Sequence, residues 1–357
     1  MREDDVVLAL LAAAPAVLGT IGWRIGARLQ ARGGEPPLGG KIALATAATA
    51  LCASLVLLGL EVRYRFAYDR TDAFSLTRTS QRWFARHYRN NAWLLRDDVE
   101  YTLRKPPGTR RITFVGDSFT VGHGVADVGD RFANRIRAEE PGWDVQVLAR
   151  NGLDTGAELD ALRDALARGY RSDDVVLVYC PNDLGDLMPQ WRAVVDRLYD
   201  DFASAGFLVH HSYGVNHLYF RLLAWRTPQL AGYYPELVAA YAGPEWHEQT
   251  RRLAEFADLA RRHGARPSAV TFPFVQMLGP DDPFAPAYGR LDALWRSLGV
   301  PHLDLRPAFA GVAPDALVVN SDDPHPNERA HALAAQAIER FLRDPGVSSF
   351  RLTTRPQ

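Results

Sequence analysis

Two long uncharged stretches constrain this chain more than any other feature: residues 6–23 run for 18 positions without a charge, and residues 42–60 for 19. A helix rises about 1.5 Å per residue, so each is just long enough to cross the ~30 Å hydrocarbon layer of a bilayer. A short loop joins them, which predicts a two-helix transmembrane hairpin over residues 1–61. Pro15 falls inside the first span, where membrane helices tolerate a kink. The start, Met-Arg-Glu-Asp-Asp, lacks the positive stretch of a cleaved signal peptide. The loop between the spans carries Arg24, Arg28, Arg32 and Lys41 against Glu35 alone, which favours a cytoplasmic loop and puts everything after the second span outside the cytoplasm. Arg63, Arg65, Arg70 and Arg78 follow that span and dilute the signal. The short loop is the better guide, because long domains translocate largely regardless of charge.

The remaining 296 of 357 residues are enough for a full core at 47% hydrophobic content. Basic and acidic residues nearly cancel, 41 against 42, so no overall positive field points to nucleic acid. Cys52 lies in an apolar run and Cys180 at the end of an expected buried strand, so the two are not expected to pair.

Residues 62–110 are mixed, Arg-rich and aromatic, and Lys105-Pro106-Pro107-Gly108 cannot continue a helix or an inner strand. They read as a connector. From 111 to 345, short β-branched runs at 112–115, 145–148, 175–179, 269–272 and 302–305 alternate with helical patterns. Thr155 to Glu158 has the form of a capping box, a further helix is expected from about His247 to His263, and Asn327 is placed to cap the last. Such alternation predicts an α/β fold of three α/β/α layers around a parallel sheet, with its site beyond the carboxyl ends of the strands. Residues 187–246 are too long for an ordinary connection and read as an insertion. Of these 60 residues 12 are aromatic, a proportion about twice the 10% of the whole chain. Packing onto the sheet and a lid or substrate wall involving Phe220 and Trp225 are both open readings, as is contact with a bilayer interface. Residues 346–357 form a tail.

The chemistry gathers at two places. Gly116-Asp117-Ser118-Phe119 follows the first strand and sets a hydroxyl on a turn. Near the other end, Asp322-Asp323-Pro324-His325-Pro326-Asn327 precedes the last helix. Serine becomes a nucleophile only when a base takes its proton, and a carboxylate on the far ring nitrogen fixes the tautomer of that base. The two loops supply all three parts. Asp322 is the expected orienter, with its neighbour Asp323 as the alternative. Asp117 is expected to orient the turn rather than to react. His123, in Gly122-His123-Gly124, lies close behind the serine and is a candidate pocket residue. His210 and His211 are adjacent, lack zinc-ligand spacing and read as surface residues.

These blocks, in this order from residue 111 to about 343, resemble the SGNH/GDSL hydrolase superfamily. Gly116-Asp117-Ser118-Phe119 corresponds to its first block, with Phe where the family name has Leu. Ala149-Arg150-Asn151-Gly152 matches the second and Cys180-Pro181-Asn182-Asp183 the third, with Cys180 where glycine is usual. The Asp322 to His325 stretch matches the last. The resemblance implies a flavodoxin-like sheet, a catalytic triad of Ser118, His325 and Asp322, and an oxyanion hole from the amides of Ser118 and Gly152 with the Asn182 side chain. It implies neither cofactor nor metal. With the hairpin it implies an envelope esterase acting on an acyl-ester small molecule, lipid or glycan at the bilayer. An O-acyltransferase using the same triad and a catalytically silent assembly module are the alternatives.

Overall fold

The computed structural model describes residues 3–344; the tail read at 346–357 lies outside them. The chain forms two compact units, one of Met1–Trp83 with Arg197–Pro228 and the other of Phe84–Asp196 with Gln229–Gln357. The insertion read at 187–246 is therefore divided, its middle folding with the apolar helices. The connector read at 62–110 is divided as well, because Leu95 and Tyr101 are core residues of the second unit. Proline, arginine and aromatic content marked that stretch as irregular, and irregular backbone can still bury its side chains.

In the first unit, helix α1 (Glu3–Ala31) packs against helix α2 (Leu38–Val62). Each is long and apolar enough to cross a membrane, and only 6% of either apolar window is buried. Their outer faces show Leu10, Val17, Trp23, Ile42 and Val56 to the surroundings. Charge sits inside instead: buried Glu61 accepts from Arg65 Nε at 2.7 Å, Ser212 Oγ at 2.6 Å and the Gly214 amide at 2.9 Å. Asp4 takes His211 Nδ1 at 2.9 Å, so His211 is bound in a network rather than loose on a surface. A small core of Leu76, Leu198, Phe202, Val209, Phe220 and Leu223 completes the unit. Phe220 is thus a packing residue, while Trp225 is 79% exposed.

The second unit is built on five parallel strands: β1 (Arg110–Gly116), β2 (Trp143–Ala149), β3 (Asp174–Tyr179), β4 (Arg266–Thr271) and β5 (His302–Asp304). Their spatial order is β2-β1-β3-β4-β5. Every residue of β3 is buried, as expected of a sheet covered on both faces. The expected strands are all present. The helix Thr155–Ala167 is capped by Asp154, whose side chain accepts from Ala157 N at 3.0 Å, and not by Thr155. The His247–His263 expectation corresponds to Pro244–Arg262, and Asn327 caps Glu328–Arg343 through its bonds to Arg329 N and Ala330 N. A short antiparallel pair, β6 (Val318–Asn320) and β7 (Asp323–Pro326), was not foreseen. Three and four residues with two prolines carry no strand signal, yet β7 bears the histidine of the site. Chain order reverses on either side of β1, between β2 and β3, and ligands of open sheets bind at the carboxyl edge of such a switch point.

Candidate active site

Ser118 stands at that switch point, as the first residue of the helix Ser118–Val121 that follows β1. The approach to it needs glycine. A Cβ on Gly116 would lie 2.1 Å from Thr120 Oγ1 and 2.9 Å from the Val178 carbonyl, so no side chain fits between the turn and β3. Asp117 caps the short helix, its Oδ1 accepting from Phe119 N at 2.9 Å. Its Oδ2 accepts from Asn182 Nδ2, also at 2.9 Å, tying the turn after β1 to the loop after β3. Burial pushes the Asp117 carboxyl up, against the lowering effect of the Asn182 and Phe119 hydrogen bonds. Its partners are those of a structural carboxylate.

His325 Nε2 lies 2.9 Å from Ser118 Oγ, a normal hydrogen bond; the serine hydroxyl is 3.4 Å from Asp117 Oδ2, a much weaker alternative. On the other side of the ring, His325 Nδ1 is 2.5 Å from Asp323 Oδ1. The carboxylate against the ring is therefore that of Asp323 and not that of the expected Asp322. The reason is local: residues 323–326 form strand β7, and in a strand side chains two apart share a face while the next one points away. Asp322 lies one residue before that strand, in the turn that joins β6 to β7. Asp322 instead donates its backbone N–H to Asn320 Oδ1 at 2.7 Å.

Asp323 is fully buried. Burial would raise its carboxyl, but the charges and hydrogen bonds of His325 and then His123 hold it well below the usual carboxylate range. His123 Nε2 is 3.3 Å from Asp323 Oδ2, so the carboxylate bridges two imidazoles. The donors of His123, Asp323 and His325 lie within 4.8 Å of one another, near enough to hold a cation. Each is already used inside the group, and a cation there would have to displace those bonds.

Asn182 lies in the 3₁₀ turn Pro181–Leu187 directly after β3, and Gly152 in the loop after β2 with φ +75°, a left-handed conformation suited to glycine. The two loops flank the one carrying Ser118, because β2 and β3 both pair with β1. The Asp183 carboxylate accepts the Cys180 N–H at 2.8 Å and closes the turn; the Cys180 thiol is buried. Beneath, on the helix after β2, Glu158 is wholly buried and neither of its oxygens has a hydrogen-bond partner among the described residues. Burial, then the charges of Asp117 and Asp154, push its carboxyl well above the usual range. A cavity of about 300 Å³ opens beside the Gly152 loop, between Trp93, Leu148, Arg150, Ala161, Asp164 and Arg168.

Sequence reasoning missed Arg96. Its buried guanidinium donates to the carbonyls of Gly122 at 2.6 Å and Val125 at 2.5 Å, and so holds the loop behind the serine. Burial, reinforced by Arg131, brings it down to about 10. An isolated arginine in an Arg-rich stretch gave no signal.

No family model matches the chain, and no curated protein does. The solved structures similar to it are lipolytic hydrolases and esterases. The acetylxylan esterase Axe2 from Geobacillus stearothermophilus matches over 67% of this chain and 97% of its own, at 14% identity and a TM-score of 0.41. An extracellular lipase from Streptomyces rimosus matches over 66% and 98%, at 16% identity and a TM-score of 0.40. A lipolytic protein of the G-D-S-L family from Veillonella parvula matches over 66% and 100%, at 13% and 0.40. Likeness at this level decides nothing about chemistry, for which the side chains above have to speak.

Proposed function

We propose that the protein is a membrane-anchored serine ester hydrolase of the SGNH/GDSL kind, removing acyl or acetyl groups from a lipid or glycan of the cell envelope. One observation carries the reading: Ser118 Oγ, His325 and Asp323 form a continuous relay, with 2.9 Å from oxygen to Nε2 and 2.5 Å from Nδ1 to carboxylate. In that arrangement His325 Nε2 takes the serine proton as Oγ attacks the ester carbonyl. Asp323 keeps the remaining proton on Nδ1 and stabilises the imidazolium. The tetrahedral oxyanion is received by the backbone amides of Ser118 and Gly152 and by Asn182 Nδ2, whose second hydrogen is not needed by Asp117. Collapse expels the alcohol, which leaves with the proton from His325. Water then repeats the sequence on the acyl-serine and releases the acid.

Two features support the setting. The apolar, outward-facing surface of α1 and α2 suits lipid, and the Arg24 to Lys41 loop suits the cytoplasmic side, which favours a catalytic unit outside the cytoplasm. The cavity beside the Gly152 loop, with Trp93 as an apolar wall and Arg150, Asp164 and Arg168 as polar groups, offers room for a sugar. That room also supports the second reading, transfer of the acyl group to a bound glycan hydroxyl in place of water. The test is turnover of p-nitrophenyl acetate by the detergent-purified protein and by Ser118→Ala, followed by product analysis with and without an oligosaccharide acceptor. Ester cleavage that depends on Ser118 supports the reading; cleavage unchanged in Ser118→Ala removes it. Acyl groups found on the oligosaccharide select transfer.

A further inference from the structure

The relay Ser118–His325–Asp323 accounts for one oxygen of the Asp323 carboxylate, and the other faces a second histidine. His123 is 2% exposed, and its Nε2 lies 3.3 Å from Asp323 Oδ2. Its ring stacks on that of His325, with centroids 4.1 Å apart and planes 18° from parallel. The ring of Phe84 meets it edge-on at 5.2 Å on another side. This placement is built into the backbone. His123 sits between Gly122 and Gly124, whose φ values of +75° and +80° turn the chain back sharply behind the serine. The carbonyl of Gly122 is held by Arg96, and the His123 N–H is donated to the Ser118 carbonyl at 3.0 Å. Ser118 and His123 are thus two ends of one locked turn.

We propose that His123 is a positioning residue for the reaction: donating Nε2–H to Asp323 Oδ2 and stacking on His325, it fixes the carboxylate and the imidazole in the orientation that proton transfer from Ser118 requires. The inference rests on the serine-hydrolase reading. A buried carboxylate with one oxygen unsatisfied can rotate about its χ2, which is a broad torsion. With a donor on each oxygen, rotation would break two charge-assisted bonds at once. The charged groups facing His123 are Asp323 and His325 from β7, Arg96 and Arg131 against the Gly122 turn, and Glu328, whose Oε1 is 3.4 Å from Ala126 N.

Two substitutions separate the donor from the ring. His123→Phe keeps an aromatic ring and removes the donor; His123→Gln places an amide N–H near the position of Nε2 and removes the ring. Both are measured as full-length protein in detergent on p-nitrophenyl acetate, beside wild type and Ser118→Ala, with thermal melts to confirm folding. The expected result for His123→Phe is a loss of about 10- to 100-fold in kcat, the size of one hydrogen bond to a charged group, with KM nearly unchanged. His123→Gln should recover most of the lost kcat. Wild-type kcat in His123→Phe would overturn the proposal, as would equal impairment of His123→Gln, which would leave only ring packing. If wild type shows no Ser118-dependent turnover, the hydrolase reading falls and this inference with it; turnover that needs Ser118 but ignores His123 removes the inference alone.

Discussion

Asp323→Asn is the substitution whose effect the geometry fixes best. The carboxylate is fully buried, and its Oδ1 accepts both His325 Nδ1 at 2.5 Å and the His325 backbone N–H at 3.1 Å, while Oδ2 faces His123. An amide has the same shape, one acceptor and no charge. If its oxygen takes the Oδ1 position, the tautomer of His325 survives, while the charge and the acceptor for His123 are lost. Two unit charges about 4 Å apart at an effective dielectric of about 20 interact by about 4 kcal/mol, so the imidazolium formed on proton transfer would cost about 10³-fold in rate. If the amide nitrogen takes that position, His325 must turn Nδ1 into an acceptor and present Nε2–H to Ser118. A base with the wrong tautomer loses about 10⁴-fold. Either way the expected loss is three to four orders of magnitude in kcat/KM, of which the larger share is in kcat. Asp322→Asn leaves the Asp323 carboxylate in place against His325, so its loss should be far smaller than that of Asp323→Asn. The assay is p-nitrophenyl acetate hydrolysis by both variants, with circular dichroism melts to show that each is folded. A large loss in Asp322→Asn together with near-normal Asp323→Asn would refute the reasoning.

Asn182→Ala should lose about 10²- to 10³-fold in kcat if its amide serves the oxyanion, and a loss confined to KM would deny that role. Burial pushes the Glu158 carboxyl well above its usual range in the fold, whereas in the unfolded chain it ionises above about pH 4.3. Its contribution to stability is therefore greatest below that value and is lost as pH rises. Glu158→Gln should gain melting temperature over wild type progressively between about pH 5 and pH 8, and a difference independent of pH would contradict the burial argument. A carboxyl-terminal alkaline phosphatase fusion in a bacterial host should be active, since the Arg24 to Lys41 loop is expected in the cytoplasm; an inactive fusion with an active cytoplasmic reporter would reverse the topology.

Much of the fold was legible because it follows from periodicity. Five β-branched runs separated by helical patterns permit little besides a parallel sheet; Ser118 stood out on a turn directly after the first of them, His325 by the carboxylates just before it and the helix after it, and Asn182 by the resemblance alone. The structure brings Ser118 and His325 together across 207 positions of sequence. The rest depended on conformation that no local pattern encodes. Asp322 and Asp323 are chemically equivalent in sequence, and only the extended backbone of β7 decides which one reaches the ring. His123 drew notice for its position behind the serine, but its contact with Asp323 needs the two left-handed glycines and Arg96 as well. Phe220 reads equally well as a lid or a core residue, and burial in the small core of the first unit is a tertiary property. The unit boundaries were hidden for the same reason. Composition marks residues 62–110 as a connector and length marks 187–246 as an insertion, and neither says which unit will bury them.

The central claim is that Ser118 is a nucleophile activated by His325. It is tested most directly by incubating the full-length protein with a phosphonate ester that phosphonylates activated serines, then locating the adduct by peptide mass spectrometry. The account predicts stoichiometric modification of Ser118 in wild type, none anywhere in Ser118→Ala, and much slower labelling in His325→Ala. An adduct on a different residue, or an unlabelled Ser118 in protein that still cleaves p-nitrophenyl acetate, would contradict it.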